Sequence, residues 1–242
     1  MRRFFAPPER FQEDQVSLDA EETHHLARVV RLGVGAQVEV GDGQGRVVEA
    51  QVLDLSGPEA RLKVVRHLPG LPESPLAVTL AVGLAKGEAL EEVVRRATEM
   101  GVSRLTPFVC QRSERPTPGR GLRRLERWRR LARESLKSCR RAVLPVIDPV
   151  QDLADVLAGP EELKIMFWEE QEAGGLAALL ARPRPAGVRL LIGPEGGFSA
   201  GEAAQAKEAG FLVASLGPRA LKVPTAAMTA LALVQFAWGD LA

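Results

Sequence analysis

The sequence lacks several features that define special classes of protein. Its 242 residues include two cysteines, Cys110 and Cys139, no tyrosine, and only 5% aromatic residues. Two cysteines without a CxxC spacing argue against a disulfide framework and a thiolate zinc site, and they fit a reducing cytoplasm. The sequence shows no apolar run near the roughly 20 residues that a membrane-spanning helix needs. The basic N-terminus MRRFFAPPERF also lacks the apolar segment of a secretory signal.

A large net charge is also missing, but the charges are unevenly placed. The net charge is +1, whereas the segment from Gln111 to Arg141 holds twelve Arg or Lys residues against three Glu residues. That segment carries +9 and the rest of the chain −8. Such a concentration creates a local field that can attract nucleic acid. Taken alone, the run is more typical of a solvated helix face than of a binding site.

The first 70 residues predict a small, β-rich, barrel-like domain. Ala36–Val40 and Val47–Asp54 are predicted strands around the glycine-rich hairpin turn GDGQGR, and Ala60–Arg66 is a third. A capping box that begins at Asp19 predicts one helix before them.

The proline-rich segment HLPGLPESP, residues 67–75, predicts a linker to a second domain that we place at residues 71–242. Strands and helices alternate beyond it, which implies a mostly parallel sheet covered on both faces. The predicted strands are Leu76–Leu84, Arg104–Val109, Leu163–Trp168, Val188–Ile192 and Phe211–Leu216. The predicted helices are Glu88–Met100, Leu122–Cys139, Leu176–Ala181, Ala200–Ala209 and Thr225–Trp238. The apolar stripe of the second helix is predicted to be Leu122, Leu125, Trp128, Ala132, Leu136 and Cys139.

Two turns at predicted strand ends are unusually rich in glycine and proline. They read LLIGPEGGFSAGE, residues 190–202, and LGPRALKVPT, residues 216–225. Ligands of parallel sheets bind beyond the carboxyl ends of the strands, and glycine lets the backbone approach a ligand closely. GPEGGFS has neither the lysine of a phosphate-binding Walker loop nor the GxGxxG of a dinucleotide site. Its Glu195 suits a ligand with a cationic end, although on spacing alone a pair of tight structural turns is equally consistent.

Beyond these patterns, the chain resembles a known family over nearly its whole length. LLIGPEGGFSAGEAAQAKEAGF and SLGPRALKVPTAAMTALALVQ closely resemble the C-terminal signature of the RsmE-type enzymes, which methylate N3 of a uridine in 16S ribosomal RNA and belong to the SPOUT class. KGEALEEVVRRATEMGVSRLTPFVCQRS is similar to the middle section of that family, and HHLARVVRLGVGAQVEVGDGQGR to its N-terminal RNA-binding domain.

The resemblance implies an α/β fold with two domains. It implies a SPOUT methyltransferase domain with a mostly parallel sheet and a C-terminal deep trefoil knot, which is an exception to the general absence of threaded chains. A PUA-like RNA-binding barrel would precede it. The implied cofactor is S-adenosyl-L-methionine, released as S-adenosyl-L-homocysteine, with no metal. The implied state is a cytoplasmic homodimer, not bound to a membrane, that acts on the 16S rRNA of the small ribosomal subunit.

Three loops of this sequence would hold the cofactor by that resemblance. Their residues are Glu169, Ile192, Gly193, Pro194, Glu195, Gly196, Gly197, Leu216, Gly217, Arg219, Leu221, Lys222, Thr225 and Ala226. The chain departs from the family pattern at RALKVPTA, where relatives resemble RILRTETA, so Pro224 replaces a glutamate. It departs again at KSCRR, residues 137–141, where EQSGR is usual. The role of the missing glutamate is unfilled or passes to Glu195 or Glu169.

The chemistry of uracil N3 favours cationic catalytic groups. N3 carries a proton and is nucleophilic as an anion, whose charge spreads to the flanking carbonyl oxygens. We predict that Arg112 and Arg219 stabilise that anion. The histidines, at positions 24, 25 and 67, are more typical of packing or of contacts to the RNA backbone.

RNA binding would use the N-terminal domain together with the basic helix. The predicted RNA contacts are Arg3, Arg28, Arg31, Lys86, Arg112, Arg115 and Arg120. Two alternatives remain open from the sequence. One is a SPOUT methyltransferase for another rRNA or tRNA position, such as a ribose 2′-oxygen or a tRNA guanine. The other is an RNA-binding assembly factor without catalysis, which the Pro224 substitution alone favours.

Overall fold

The chain folds into two units. The computed structural model describes residues 1–115, 119–171 and 175–241. The N-terminal unit comprises Met1–Glu73 together with Arg133–Leu144, and the C-terminal unit comprises Ser74–Ala132 together with Pro145–Ala242. The sequence did not indicate that residues 133–144 belong with the N-terminal unit. These residues include the end of a helix that begins in the C-terminal unit, and the helical pattern of the sequence does not change at the boundary.

The N-terminal unit is built on a five-stranded sheet. Its strands are β1 (Arg3–Phe5), β2 (Gln15–Ser17), β3 (Gln37–Gly41), β4 (Val47–Asp54) and β5 (Arg61–Leu68). The strand order is β1-β3-β4-β5-β2, so β1 and β2 form the edges. β1 pairs with β3 in parallel, whereas the other pairs are antiparallel. The three predicted strands correspond to β3, β4 and β5.

A short helix covers the core of this sheet. Helix α1 (Ala20–His24) begins where the Asp19 side chain accepts a hydrogen bond from the Glu22 N–H, and a π-helical turn continues it over His25–Val29. The buried cluster includes Phe4, Leu18, Leu26, Val38 and Leu62.

The C-terminal unit is built on a seven-stranded sheet in which every pairing is parallel. Its strands are β6 (Ala77–Gly83), β7 (Arg104–Val109), β8 (Val146–Ile147), β9 (Gln151–Asp152), β10 (Leu163–Phe167), β11 (Gly187–Ile192) and β12 (Leu212–Ala214). The order is β12-β10-β11-β6-β7-β8, and β9 also pairs with β7. The five predicted strands and the parallel sheet are confirmed, whereas β8 and β9 were not predicted.

Six helices lie in the described residues of the second part of the chain. They are α2 (Ala89–Glu99), α3 (Arg120–Cys139), α4 (Leu153–Leu157), α5 (Leu176–Leu180), α6 (Ala200–Glu208) and α7 (Val223–Trp238). All were predicted except α4, and α3 ends within the N-terminal unit. Among the residues that the structure describes, no helix is both long enough and apolar enough to cross a membrane.

One prediction for α3 is wrong. Leu125, Trp128, Ala132 and Leu136 are buried as expected, but Leu122 is 69% exposed. Leu122 lies in the first turn of the helix, before Leu125, the first buried residue of the stripe. The apolar pattern in the sequence therefore begins one turn before the buried face of the helix does.

The C-terminal helix α7 is anchored through a buried amide. Gln235 is fully buried, and its Nε2 donates to the carbonyl of Met100 at 2.9 Å while its Oε1 accepts from the Ser74 hydroxyl at 2.7 Å. A buried amide with both ends satisfied fixes the position of its helix. The helix packs against α2, β6 and β11, and Gln235 anchors its last turn.

Candidate functional site

Three neighbouring parallel strands end at one edge of the sheet, and each is followed by a loop. β10 is followed by Trp168 and Glu169, β11 by the glycine turn (Gly193–Gly197), and β12 by the segment Ser215–Leu221. Between these loops lies a cavity that opens to solvent, which we call the strand-end cavity.

The cavity has mostly apolar and backbone walls with a few polar side chains. It is lined by Phe167, Trp168, Glu169, Ile192, Gly193, Pro194, Gly197, Ser215, Leu216, Gly217, Arg219, Leu221, Val223 and Ala226. Glu169 and Arg219 supply one charge of each sign to this lining. The cavity can therefore take a largely apolar ligand that carries both a positive and a negative group.

Ten of the fourteen predicted cofactor residues line the cavity, and four do not. Those outside the lining are Glu195, Gly196, Lys222 and Thr225. The prediction missed Phe167, Trp168, Ser215 and Val223. Three of these flank the ends of the strands β10 and β12, so extending each loop back to the last strand residue would have found them; Val223 begins α7.

Close packing explains the glycines as much as ligand binding does. Gly197 has a φ of +65°, and a Cβ there would collide with the Glu169 carboxylate. A Cβ on Gly83, at the end of β6, would lie 2.6 Å from the Pro194 nitrogen. The glycine turn therefore lies directly against the loops after β6 and β10.

The turn leads into a capped helix. The Ser199 hydroxyl accepts from the Glu202 N–H, and the Glu202 carboxylate accepts from the Ser199 N–H at 2.9 Å, so α6 begins with a capping box. Glu202 also accepts from the Gln111 N–H at 2.7 Å, which joins α6 to the loop after β7. The fully buried Phe198 ring stacks on Phe108 at a centroid distance of 6.2 Å.

Arg112 contacts the backbone of this turn. Its Nη1 donates to the Gly196 carbonyl at 2.7 Å and to the Phe198 carbonyl at 3.3 Å. The Trp168 indole N–H donates to the same Phe198 carbonyl at 3.2 Å. Arg219 is exposed as well, but it differs from Arg112 because it lies in the lining of the cavity.

Glu195 points away from the cavity. Its two carboxylate oxygens accept from the backbone N–H of Lys86 at 3.0 and 3.2 Å. The carboxylate that faces the cavity belongs to Glu169. Pro224 lies at the start of α7, where a proline is compatible with the first turn, and it lines a separate cleft together with Glu195 and Lys222.

Most of the predicted RNA contacts are exposed. Arg28, Arg31, Lys86, Arg112 and Arg115 are exposed, whereas the side chain of Arg120 lies outside the described residues. Arg3 does not fit its predicted role as an RNA contact. Its side chain is only 6% exposed and lies 4.0 Å from Glu39. Burial lowers the pKa of Arg3, partly offset by Glu39, so this residue belongs to the interior of its unit.

Much of the positive charge around α3 is neutralised internally. The cations Arg127, Lys137, Arg140 and Arg141 form ion pairs with the carboxylates of Glu91, Glu22, Glu39 and Glu73, respectively. These pairs give a structural role to three of the eleven arginines of the basic run and to its one lysine. Within the described part of the chain, no three His, Cys, Asp or Glu side chains cluster as a metal site would require.

Two family models match the chain. The RNA methyltransferase domain matches residues 72–235, and the PUA domain of RNA methyltransferases matches residues 18–65. Together with the parallel sheet and the strand-end cavity, these matches define an RNA methyltransferase with a PUA domain. The ribosomal RNA small subunit methyltransferase E of Synechocystis is 35% identical over 96% of this chain and 76% of its own length. The chain belongs to the ribosomal RNA small subunit methyltransferase E family, the one that its motifs resemble.

Other relatives and solved structures agree. The methyltransferase E of Bacillus subtilis is 26% identical over 98% of this chain and 96% of its own length. The methyltransferase E of Neisseria gonorrhoeae, solved bound to S-adenosyl methionine, has a TM-score of 0.91, is 26% identical, and both chains are covered fully. A Legionella pneumophila protein solved with the bound cofactor SAM has a TM-score of 0.91 and 29% identity, with 99% of this chain and 98% of that chain covered.

Proposed function

We propose that this protein transfers the methyl group of S-adenosylmethionine to N3 of a uridine in the 16S rRNA of the small ribosomal subunit. The observation that carries the proposal is the strand-end cavity at the carboxyl ends of three parallel strands, lined by Gly193, Gly197 and Gly217. The chain's membership in the methyltransferase E family supports the same assignment, as do the structural neighbours that were solved with bound cofactor.

The residues present fit this cofactor. Apolar side chains such as Phe167, Leu221 and Val223 offer a surface for the adenosyl part, and the glycines expose backbone groups to it. Glu169 would face the positively charged end of the cofactor. S-Adenosylmethionine supplies an electrophilic methyl group on a sulfonium. The main task of such a site is to hold the methyl group and the acceptor nitrogen in line. Orientation of this kind can lower a reaction barrier by roughly 7–11 kcal/mol.

The acceptor requires stabilisation of negative charge. When N3 of uracil loses its proton, the charge spreads to the flanking carbonyl oxygens, where a fixed cation stabilises it. Of the two predicted catalytic arginines, Arg219 lies at the cavity with an exposed guanidinium, whereas Arg112 already donates to two backbone carbonyls. We assign the stabilising role to Arg219.

The proposal includes the knot, the dimer and the location in the cell. β12 lies beside β10 on the side away from β11, so the chain crosses back over β10 before entering α7, which packs on β6 and β11. This path supports a trefoil knot formed by the C-terminal segment. We further propose a cytoplasmic homodimer with one domain over residues 1–70, which binds RNA, and another over residues 71–242.

Incubation with methyl-labelled cofactor tests the function. Small ribosomal subunits from a strain that lacks the modification are incubated with the full chain, and the RNA is digested for nucleoside mass spectrometry. We expect label in 3-methyluridine from 16S rRNA alone. Label in another nucleoside, or no label in RNA, would contradict the proposal.

Substitution of Arg219 tests the catalytic assignment. Removing one preorganised group that stabilises an anion costs on the order of 100-fold in turnover, so we expect a kcat loss of that size for Arg219→Met. Cofactor affinity is measured separately, because Arg219 also lines the cavity. Arg184→Met is the matched control, since Arg184 is exposed and lies outside the lining. Unchanged kcat in Arg219→Met would remove Arg219 from the mechanism.

A further inference from the structure

We propose that Arg112 and Glu195 are positioning residues that clamp the glycine turn in its cofactor-binding shape. Neither side chain lines the strand-end cavity, yet both bind the turn to a neighbouring loop. The sequence had assigned them to anion stabilisation and to cofactor contact. The inference rests on the proposed function, because it takes the cavity to be the cofactor site.

Arg112 holds the turn from the loop after β7. Its Nη1 lies 2.7 Å from the Gly196 carbonyl oxygen and 3.3 Å from that of Phe198. A Cβ on Gly196 would lie 3.0 Å from the Arg112 Cβ, so the arginine stem packs directly on the turn. Hydrogen bonds from a charged donor are stronger than neutral ones, which makes this a firm attachment.

The wall of the cavity shares this attachment point. Trp168, which lines the cavity, donates its indole N–H to the same Phe198 carbonyl at 3.2 Å. The Phe198 ring is fully buried and stacks on Phe108 of β7, the strand that leads to Arg112. A shift of the Arg112 guanidinium therefore reaches the cavity wall through one shared oxygen atom.

Glu195 holds the turn to the loop after β6. Both of its carboxylate oxygens accept from the Lys86 N–H, at 3.0 and 3.2 Å. The adjacent Pro194 lies so close to Gly83 that no side chain fits there. The glycine turn is thus tied to the loops after both β6 and β7.

A pre-shaped turn lowers the ordering cost of binding. Without the clamp, the turn would have to be ordered when the cofactor binds, so affinity would fall while the chemistry of the bound complex stays the same. This outcome differs from that of a catalytic role, in which kcat falls at saturating cofactor.

The first test replaces Arg112 in the full chain. Cofactor Kd is measured by isothermal titration calorimetry, and kcat and KM are measured on small ribosomal subunits. We expect Arg112→Met, which keeps an unbranched apolar stem, to raise the cofactor Kd by roughly 10-fold. The kcat at saturating cofactor should stay within about 3-fold of the wild type. Arg112→Lys should recover part of the affinity, because an ammonium can still donate to the Gly196 carbonyl.

The second test compares two changes at Glu195. Glu195→Gln keeps an acceptor oxygen for the Lys86 N–H, so its cofactor Kd should stay near that of the wild type. Glu195→Ala removes the acceptor and should raise the Kd several-fold. If Glu195 instead touched a positive group of the cofactor, Glu195→Gln would weaken binding as much as Glu195→Ala does.

Arg123→Met is the matched control for the loss of one arginine. Arg123 is exposed on α3 and lies outside the cavity lining, so its cofactor Kd should equal that of the wild type. Thermal midpoints show whether each variant is folded, and the Kd is taken on the folded fraction. Wild-type Kd in both Arg112→Met and Glu195→Ala, or a kcat loss at unchanged Kd, overturns the clamp. A wild-type chain that binds cofactor but does not modify rRNA overturns the proposed function and leaves the clamp intact.

Discussion

At the scale of single residues, Gly197 is the most constrained position of the cavity. It has a left-handed backbone, with a φ of +65°, and a Cβ there would collide with the Glu169 carboxylate. Two requirements thus coincide at one residue, the backbone conformation and the close approach of a charged side chain. Glycine alone satisfies both.

Gly197→Ala should lower both stability and cofactor affinity. The left-handed conformation costs an L-residue about 1–2 kcal/mol, and Glu169 must also move out of the way. We expect the free energy of unfolding to fall by at least that amount in urea titrations, and the cofactor Kd to rise in calorimetry.

Gly210→Ala separates the two effects. Gly210 has a φ of +86°, but nothing lies within 4 Å of the position of its Cβ. This variant should show the conformational cost alone, with cofactor affinity unchanged. Equal cofactor affinity in both variants would show that Glu169 does not need its place against the turn.

The sequence predicted the composition of the cavity better than the direction of its side chains. The two turns could be predicted because glycine and proline are themselves the sequence signal of a tight turn. Glu195 was assigned to the cavity, although its carboxylate binds the Lys86 N–H and Glu169 faces the cavity instead. Which way a side chain of a tight turn points depends on neighbouring loops that are distant in sequence.

At the scale of elements, long apolar strands were predictable and short ones were not. β6, β7, β10 and β11 are almost continuous apolar runs, as strands buried on both faces must be. β8 and β9 have two residues each, which is too short for any periodicity. They are defined by their parallel pairing with β7, a contact between segments that are distant in sequence.

One buried ion pair joins β11 to the turn before β10. Arg189 is only 6% exposed, and its guanidinium donates to the Glu161 carboxylate at 2.7 and 3.0 Å and to the Val156 carbonyl at 3.1 Å. Burial raises the pKa of Glu161, but the hydrogen bonds from Arg189 and Thr79 outweigh it, so the pKa is lowered overall.

This ion pair should make the free energy of unfolding depend on pH in the acidic range. Because the folded-state pKa of Glu161 lies below the unfolded one, its contribution is complete above the unfolded value and is lost as the pH falls through the folded value. We expect the free energy of unfolding to decline below about pH 5, and Glu161→Gln to flatten that decline. At pH 7 this variant should cost about 3 kcal/mol, because a buried arginine loses its partner.

Urea titrations between pH 3 and pH 7 measure both quantities. Glu208→Gln serves as the control, since Glu208 is exposed at the end of α6. Its pH profile should match that of the wild type. A Glu161→Gln profile as steep as that of the wild type would assign the acid sensitivity to other carboxylates.

At the scale of the whole molecule, charge is arranged for both folding and binding. Ion pairs within and just after α3 neutralise cations that the sequence had suggested for RNA binding, and Arg3 is buried. Arg28 and Arg31 are different, because both are exposed and neither forms an ion pair among the described residues. Ion pairing between distant segments is invisible in a count of charges, which is why the net charge of the basic run overstated its availability.

RNA affinity should depend on salt mainly through such unpaired cations. The logarithm of the binding constant falls with the logarithm of salt concentration by about 0.7–0.9 per neutralised phosphate. Arg28→Ala combined with Arg31→Ala should therefore reduce this slope by about 1–2. The slope is measured by filter binding of 16S rRNA across a salt series.

Arg61→Ala is the control for this experiment. Arg61 donates to Asp54 at 2.8 Å on the exposed side of β5, so its charge is already neutralised. Removing it should leave the slope unchanged. A double variant with the wild-type slope would exclude Arg28 and Arg31 from the RNA interface.

The position of β11 has a consequence for biosynthesis. β11 lies between β10 and β6, and its residue Leu190 pairs with Leu80, which precedes it by 110 positions. Until β11 leaves the ribosome, β6 and β10 each present an open edge with no neighbour to join them. Late insertion of a central strand slows folding and leaves these edges available for aggregation until the strand has been synthesised.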